Sequence, residues 1–137
     1  MTQQDNAPVT LEFFARAENL ADVRRLIEPM GSKTPLSRAD MDELLTAADE
    51  AAANAIRHGS PRGEKDLVRV VCHSLPKGLI VEIKDSGSGF HAPSNPSMPG
   101  PEAQGGRGLP LMCALADSIE IMSGDKGTTV TLKKIAR

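Results

Sequence analysis

The chain has 137 residues, enough for one domain, and a globular chain of that length buries roughly two-thirds of the surface its unfolded form exposes. A net charge of −2, with Phe13, Phe14 and Phe90 as its three aromatic residues, offers nucleic acid neither electrostatic attraction nor a stacking platform. No apolar run approaches the roughly 20 residues that span a bilayer, and the polar start Thr2-Gln-Gln-Asp-Asn6 is unlike a signal peptide, so a cytoplasmic protein without membrane or direct nucleic-acid contact is expected.

The chain opens with an alternating strand over 9–14, which places Val9, Leu11 and Phe13 on one face, followed by a helix over 20–30 with apolar residues at helical spacing. Ser37, with Asp40 three residues later, predicts the start of a second helix. That helix runs through good helix formers to His58, where Gly59 and Pro61 stop it. Two strands over 67–75 and 79–85 follow, joined by Pro76-Lys77-Gly78. The segment 90–104 holds Pro93, Pro96, Pro99 and Pro101 and no periodicity; such segments inside compact domains are usually functional lids or disordered. A helix over 107–116 and a hairpin of strands 118–122 and 128–135 across Gly124-Asp-Lys-Gly127 complete the chain. The order βα-α-ββ-α-ββ groups helices and hairpins rather than alternating them. It points to an α+β fold, a mixed and mainly antiparallel sheet covered by helices on one face, and against a doubly wound one. Cys72 and Cys113 lie far apart among apolar residues and read as reduced core thiols.

Three segments carry chemistry. In the strand 79–85, Glu82 and Lys84 face solvent, so the period of two turns Leu79, Val81, Ile83 and Asp85 toward the core. An ionised acid aimed inward needs an ion pair, backbone donors or a ligand, and an adenine amino group is one such donor. Asp85 equally suits a cap on the turn Ser86-Gly87-Ser88-Gly89. On the last strand, Thr128, Val130 and Leu132 share the inward face; Thr128 is either a ligand-side hydroxyl or a β-former in a half-buried strand. In Glu50-Ala-Ala-Ala-Asn54-Ala-Ile-Arg57-His58 the acid and amide lie one turn apart on one helix face among alanines. Asn offers a neutral oxygen to a hard cation such as Mg²⁺ and Glu can accept a proton; the same pair also suits a solvated face. Arg57 and His58 either bind phosphate or complement the helix C-terminus, the latter favoured for His58. Gly105-Gly106-Arg107-Gly108 precedes a helix, where backbone N–H groups can point at phosphate oxygens.

In order and spacing, these segments resemble the nucleotide-binding boxes of the GHKL ATPase/kinase superfamily. The size of the chain is most similar to the bacterial anti-sigma-factor serine/threonine kinases. The resemblance spans nearly the whole chain and implies a two-layer α/β sandwich of the GHKL (Bergerat) type, a single domain over 1–137 with an ATP lid at about 90–107. It implies ATP and Mg²⁺ as cofactors, Asn54 as metal ligand and Glu50 as general base. Asp85 and Thr128 would surround the base of the nucleotide, Arg57, Gly105, Gly106, Arg107 and Gly108 its phosphates, and Gly87 and Gly89 belong to the same nucleotide-binding set.

Sensor histidine kinases share these boxes but carry a helix pair with a phospho-accepting histidine, whereas His58, His73 and His91 fall on a helix end, a strand and the lid. The acceptor is therefore expected on another protein. The implied function is an anti-sigma factor that sequesters a sigma factor and phosphorylates a serine or threonine of a STAS-type antagonist, with a homodimer possible in solution. Two alternatives stand: a noncatalytic ATP-binding partner switch, and a kinase of a regulatory protein outside sigma control. One departure bears on turnover, since Gln104 stands where the family pattern often has a basic residue.

Overall fold

The computed structural model describes residues 7–86, 112, 114–124 and 127–137. The lid and the glycines at 87, 89, 105, 106 and 108, with Arg107 and Cys113, lie outside these residues.

Strand β1 (Val9–Phe14) leads into α1 (Leu20–Gly31) and then α2 (Arg38–His58). The predicted start of α2 is present in full: Asp40 N–H donates to Ser37 Oγ at 3.0 Å and Ser37 N–H donates back to Asp40 Oδ2 at 3.2 Å, so two otherwise unsatisfied donors are met. Its end lies at His58, with Gly59 as the cap residue. Strands β2 (Leu67–Leu75) and β3 (Gly78–Lys84) form the first hairpin, β4 (Ser118–Gly124) and β5 (Gly127–Ile135) the second. Of the helix expected over 107–116, Met112, Ala114 and Leu115 are described and helical, and Ala116 N–H donates to Met112 O at 2.9 Å.

The sheet runs β1-β2-β3-β5-β4 and is antiparallel at each of these four pairings. The crossover from β3 to β5 is decisive for the site, because it brings the two hairpins edge to edge and places the end of β3 beside the start of β5. Alternation along the strands turns Val68, Val70, Cys72, Leu79, Val81, Ile83 and Leu132 to one face, where all are buried. The helices cover that face with Val23 and Ile27 of α1 and Leu44, Leu45, Ala48 and Ala52 of α2. The opposite face carries Arg69, Glu82, Lys84 and Thr129, with Phe14, Leu67 and Met122 exposed. Cys72 is buried as expected, and burial pushes its thiol up to about 12. Among the described residues no helix is long and apolar enough to cross a membrane.

One charged group departs from the inward apolar pattern. Lys134 continues the inner face of β5 after Leu132 and is buried, its Nζ donating to Glu43 Oε1 of α2 and to the carbonyl of Leu115, both at 2.6 Å. A lysine there holds three separate parts of the chain together, and its two partners offset the cost of burying the ammonium.

Candidate functional site

Asp85 follows the last residue of β3 and still extends the ladder: its N–H donates to Thr128 O at 2.9 Å. Its side chain turns inward, as the period of two requires, and its Oδ1 accepts the Thr128 N–H at 3.0 Å. Residue and partner are 7% and 3% exposed, so a carboxylate and a threonine hydroxyl are both buried where the end of β3 meets the start of β5. Thr128 Oγ1 lies 2.9 Å from Ser123 Oγ on β4, which fixes its rotamer across the second hairpin.

Two glycines close around Asp85, one on its backbone carbonyl and one on its carboxylate. At Gly127 the backbone has φ of +129°, and a Cβ would stand 2.1 Å from the Asp85 carbonyl oxygen. At Gly59 a Cβ would stand 2.0 Å from Asp85 Oδ2. The end of α2 and the end of β3 therefore approach so closely that no side chain fits between them.

A narrow cleft opens beside Asp85. Its walls are apolar, built from Ala51 and Ala55 of α2, Ile83 of β3, Met112, Ile121 of β4 and Val130 of β5. Four polar side chains face into it: Asn54, His58, Asp85 and Thr128. Small alanines on the helix side give a flat ligand room against the helix. A largely apolar cleft with a few convergent polar groups is the usual form of a small-molecule site.

The structure brings together Asn54, Asp85 and Thr128, three residues expected from the sequence. Arg57 does not line the cleft; it is exposed, and its Nη2 donates to Asn54 Oδ1 at 3.0 Å. Glu50 is half-buried on α2, one turn before Asn54, and is likewise not part of the cleft wall. The expected contributions of Gly87, Gly89, Gly105, Gly106, Arg107 and Gly108 fall outside the described residues. His58, for which the helix C-terminus is the favoured partner, sits in the last turn of α2 and also lines the cleft, while Gly59, expected as a helix stop, lines it too. The signal for His58 at the cleft is its spacing, four residues after Asn54 and thus on the same helix face.

The donor set fits an adenine nucleotide. A buried acceptor at the end of an apolar slot matches an exocyclic amino group on a flat base. It also fits magnesium in the limited sense that a neutral amide oxygen suits a cation which takes most of its ligands from waters and phosphates. Asn54 Oδ1 has two lone pairs, so the bond from Arg57 leaves one for such a ligand. Among the described residues no three His, Cys, Asp or Glu side chains group as a metal cage.

Comparison with known proteins agrees with this geometry. Residues 13–134 match the histidine kinase-like ATPase domain family. The anti-sigma F factor of Clostridium acetobutylicum is 30% identical over 132 residues, covering 90% of each chain. That of Clostridium perfringens is 29% identical over 131 residues, 90% of this chain and 93% of the relative. Among solved structures, the RsbU and RsbW domains of a Mycobacterium tuberculosis protein superpose with a TM-score of 0.63 at 22% identity, covering 93% of this chain but only 32% of that one. The histidine kinase domain of a blue-light activated kinase from Erythrobacter litoralis superposes at 0.55 and 20% identity, over 70% of this chain and 47% of that one. At these identities the two structures speak for the fold, and the sequence relatives carry the finer placement: the chain belongs to the histidine kinase-like ATPase domain family, alongside the anti-sigma F factors.

Proposed function

We propose that this protein is an ATP-dependent serine/threonine kinase that acts as an anti-sigma factor, holding a sigma factor and phosphorylating a STAS-type antagonist. The observation that carries the reading is the Asp85 carboxylate, seated on Thr128 at the end of an apolar, alanine-walled cleft. The names of the clostridial relatives support the sigma-factor half. A cytoplasmic homodimer is part of the same proposal.

ATP with Mg²⁺ supplies the transferable phosphoryl group and the charge neutralisation that the chemistry needs. The chain's own residues do the rest. Asp85 accepts a hydrogen bond from the adenine amino group, and the backbone of Thr128 keeps the carboxylate from turning away. Asn54 holds the metal, with Arg57 orienting its amide. Glu50, one turn earlier on the same helix face, accepts the proton of the incoming hydroxyl. The glycine-rich segment 105–108, outside the described residues, would supply backbone N–H groups to the phosphates. Catalysis of this kind is mostly positioning and electrostatics.

A noncatalytic partner switch is the second reading, favoured by the position of Glu50 away from the cleft wall. The deciding experiment is titration of the protein with ATP, with and without Mg²⁺, followed by labelled phosphoryl transfer to a STAS-type antagonist by the native chain and by Glu50→Gln. Magnesium-dependent binding with transfer lost in Glu50→Gln supports the kinase. Binding without transfer in either protein favours the switch, and no binding at all removes both.

A further inference from the structure

The glycine at position 59 is unexplained by its own backbone. Its φ of −102° and ψ of 14° are open to any residue, unlike the φ of +129° at Gly127, which side chains rarely adopt. Its role as a helix stop does not require glycine either, because its N–H simply donates to Ala55 O at 3.1 Å and Pro61 follows. What excludes a side chain is Asp85. A Cβ on residue 59 would stand 2.0 Å from Asp85 Oδ2, 2.2 Å from Cγ and 2.7 Å from Cβ.

The last of these distances decides what a substitution does. Rotating χ1 of Asp85 carries Oδ2 and Cγ away but leaves Cβ where it is, still well inside the roughly 3.5–4.0 Å at which carbon atoms pack. Relief therefore needs backbone movement on one side. The α2 side is fixed by buried Ala51, Ala52 and Ala55 and by Ser60 Oγ donating to Ala55 O at 2.9 Å. The Asp85 side lies beyond the last residue of β3, where its contacts include two bonds with Thr128, and is the side that yields.

We infer that Gly59 is a positioning residue: by carrying no side chain it lets the end of α2 press against Asp85 and holds that carboxylate in line with the cleft. The inference rests on the reading of Asp85 as the adenine acceptor. It adds a specificity element at the end of α2, packed directly against the carboxylate it serves.

The test compares ATP with purine riboside triphosphate, which keeps the ring and phosphates but lacks the 6-amino group, each titrated with Mg²⁺ against the native chain and Gly59→Ala. Gly59→Ala should lose about 10-fold or more in ATP affinity, the range of one charge-assisted hydrogen bond, with the analogue changed by less than about twofold. Unchanged ATP affinity overturns the inference. Equal losses for both nucleotides also overturn it, since a generally displaced helix end would act on ring and phosphates alike. No binding of either nucleotide by the native chain overturns the ATP reading itself, a result separate from the other two. Because Gly59→Ala could fail to fold, it is also made together with Asp85→Gly. The pair should regain the thermal midpoint of Asp85→Gly alone, and a pair as impaired as Gly59→Ala would show that Asp85 is not what the side chain meets.

Discussion

Replacing Asp85 by Asn removes its charge and turns one acceptor into a donor while keeping its shape, so it separates the structural from the recognition role of this residue. On the structural side, the Asn Oδ1 can still accept the Thr128 N–H that Asp85 now accepts at 3.0 Å, and the ladder bond to Thr128 O at 2.9 Å belongs to the backbone. The Thr128 bond loses its charge assistance, about 1 kcal/mol, which for a domain of this size is about 4 °C in thermal midpoint. On the recognition side, an amide N–H₂ replaces an acceptor and meets the adenine amino group donor to donor. Losing the charge-assisted bond costs about 1.5–3 kcal/mol, or about 10- to 100-fold in Kd. The same N–H₂ can donate to the 6-oxo group of hypoxanthine, so inosine triphosphate should lose little affinity or gain some. Calorimetric titration of both nucleotides against the native chain and Asp85→Asn reads these changes directly. Unchanged ATP affinity in a folded Asp85→Asn, or equal losses for the two nucleotides, would refute the adenine assignment.

Asn54→Ala should abolish the magnesium-dependent part of ATP binding while circular dichroism stays native, because Asn54 is half-buried and its side-chain partner, Arg57, is exposed; a variant that binds Mg-ATP normally removes the ligand role. Asp66 is buried, and the backbone N–H of Arg62, then its guanidinium, hold its carboxyl below the usual range of 3.8. Its contribution is therefore present above about pH 4 and lost as pH falls from there through the lower folded value, so over that interval stability should fall more steeply in the native chain than in Asp66→Asn. Urea midpoints measured across that range check it, and parallel curves would contradict it. With its thiol pushed up to about 12, Cys72 should resist a thiol reagent at pH 8 in a folded Cys113→Ser background and react once denatured; rapid labelling of the folded protein would show that the strand is open.

Periodicity and capping made most of the fold legible from the sequence. Alternation over 79–85 turned Asp85 inward because successive strand side chains must take opposite faces, whatever the rest of the chain does. Ser37 and Asp40 marked the start of α2 because their bonds are local. Asn54, Asp85 and Thr128 could be singled out for the same reason, each by its place on an element and by the residues around it. A face, however, names no partner. That Asp85 rests on Thr128 depends on β3 pairing with β5, a contact between residues 43 apart in the chain. Buried Lys134 was invisible in a strand of mixed residues, because its acceptors Glu43 and Leu115 come from distant parts of the chain, Glu43 lying 91 residues away. Gly59 read as a helix stop until the packing of α2 on β3 set its missing side chain against a carboxylate. Local steric rules fixed which residues point inward, whereas only the way the helices and hairpins pack decided which of them meet.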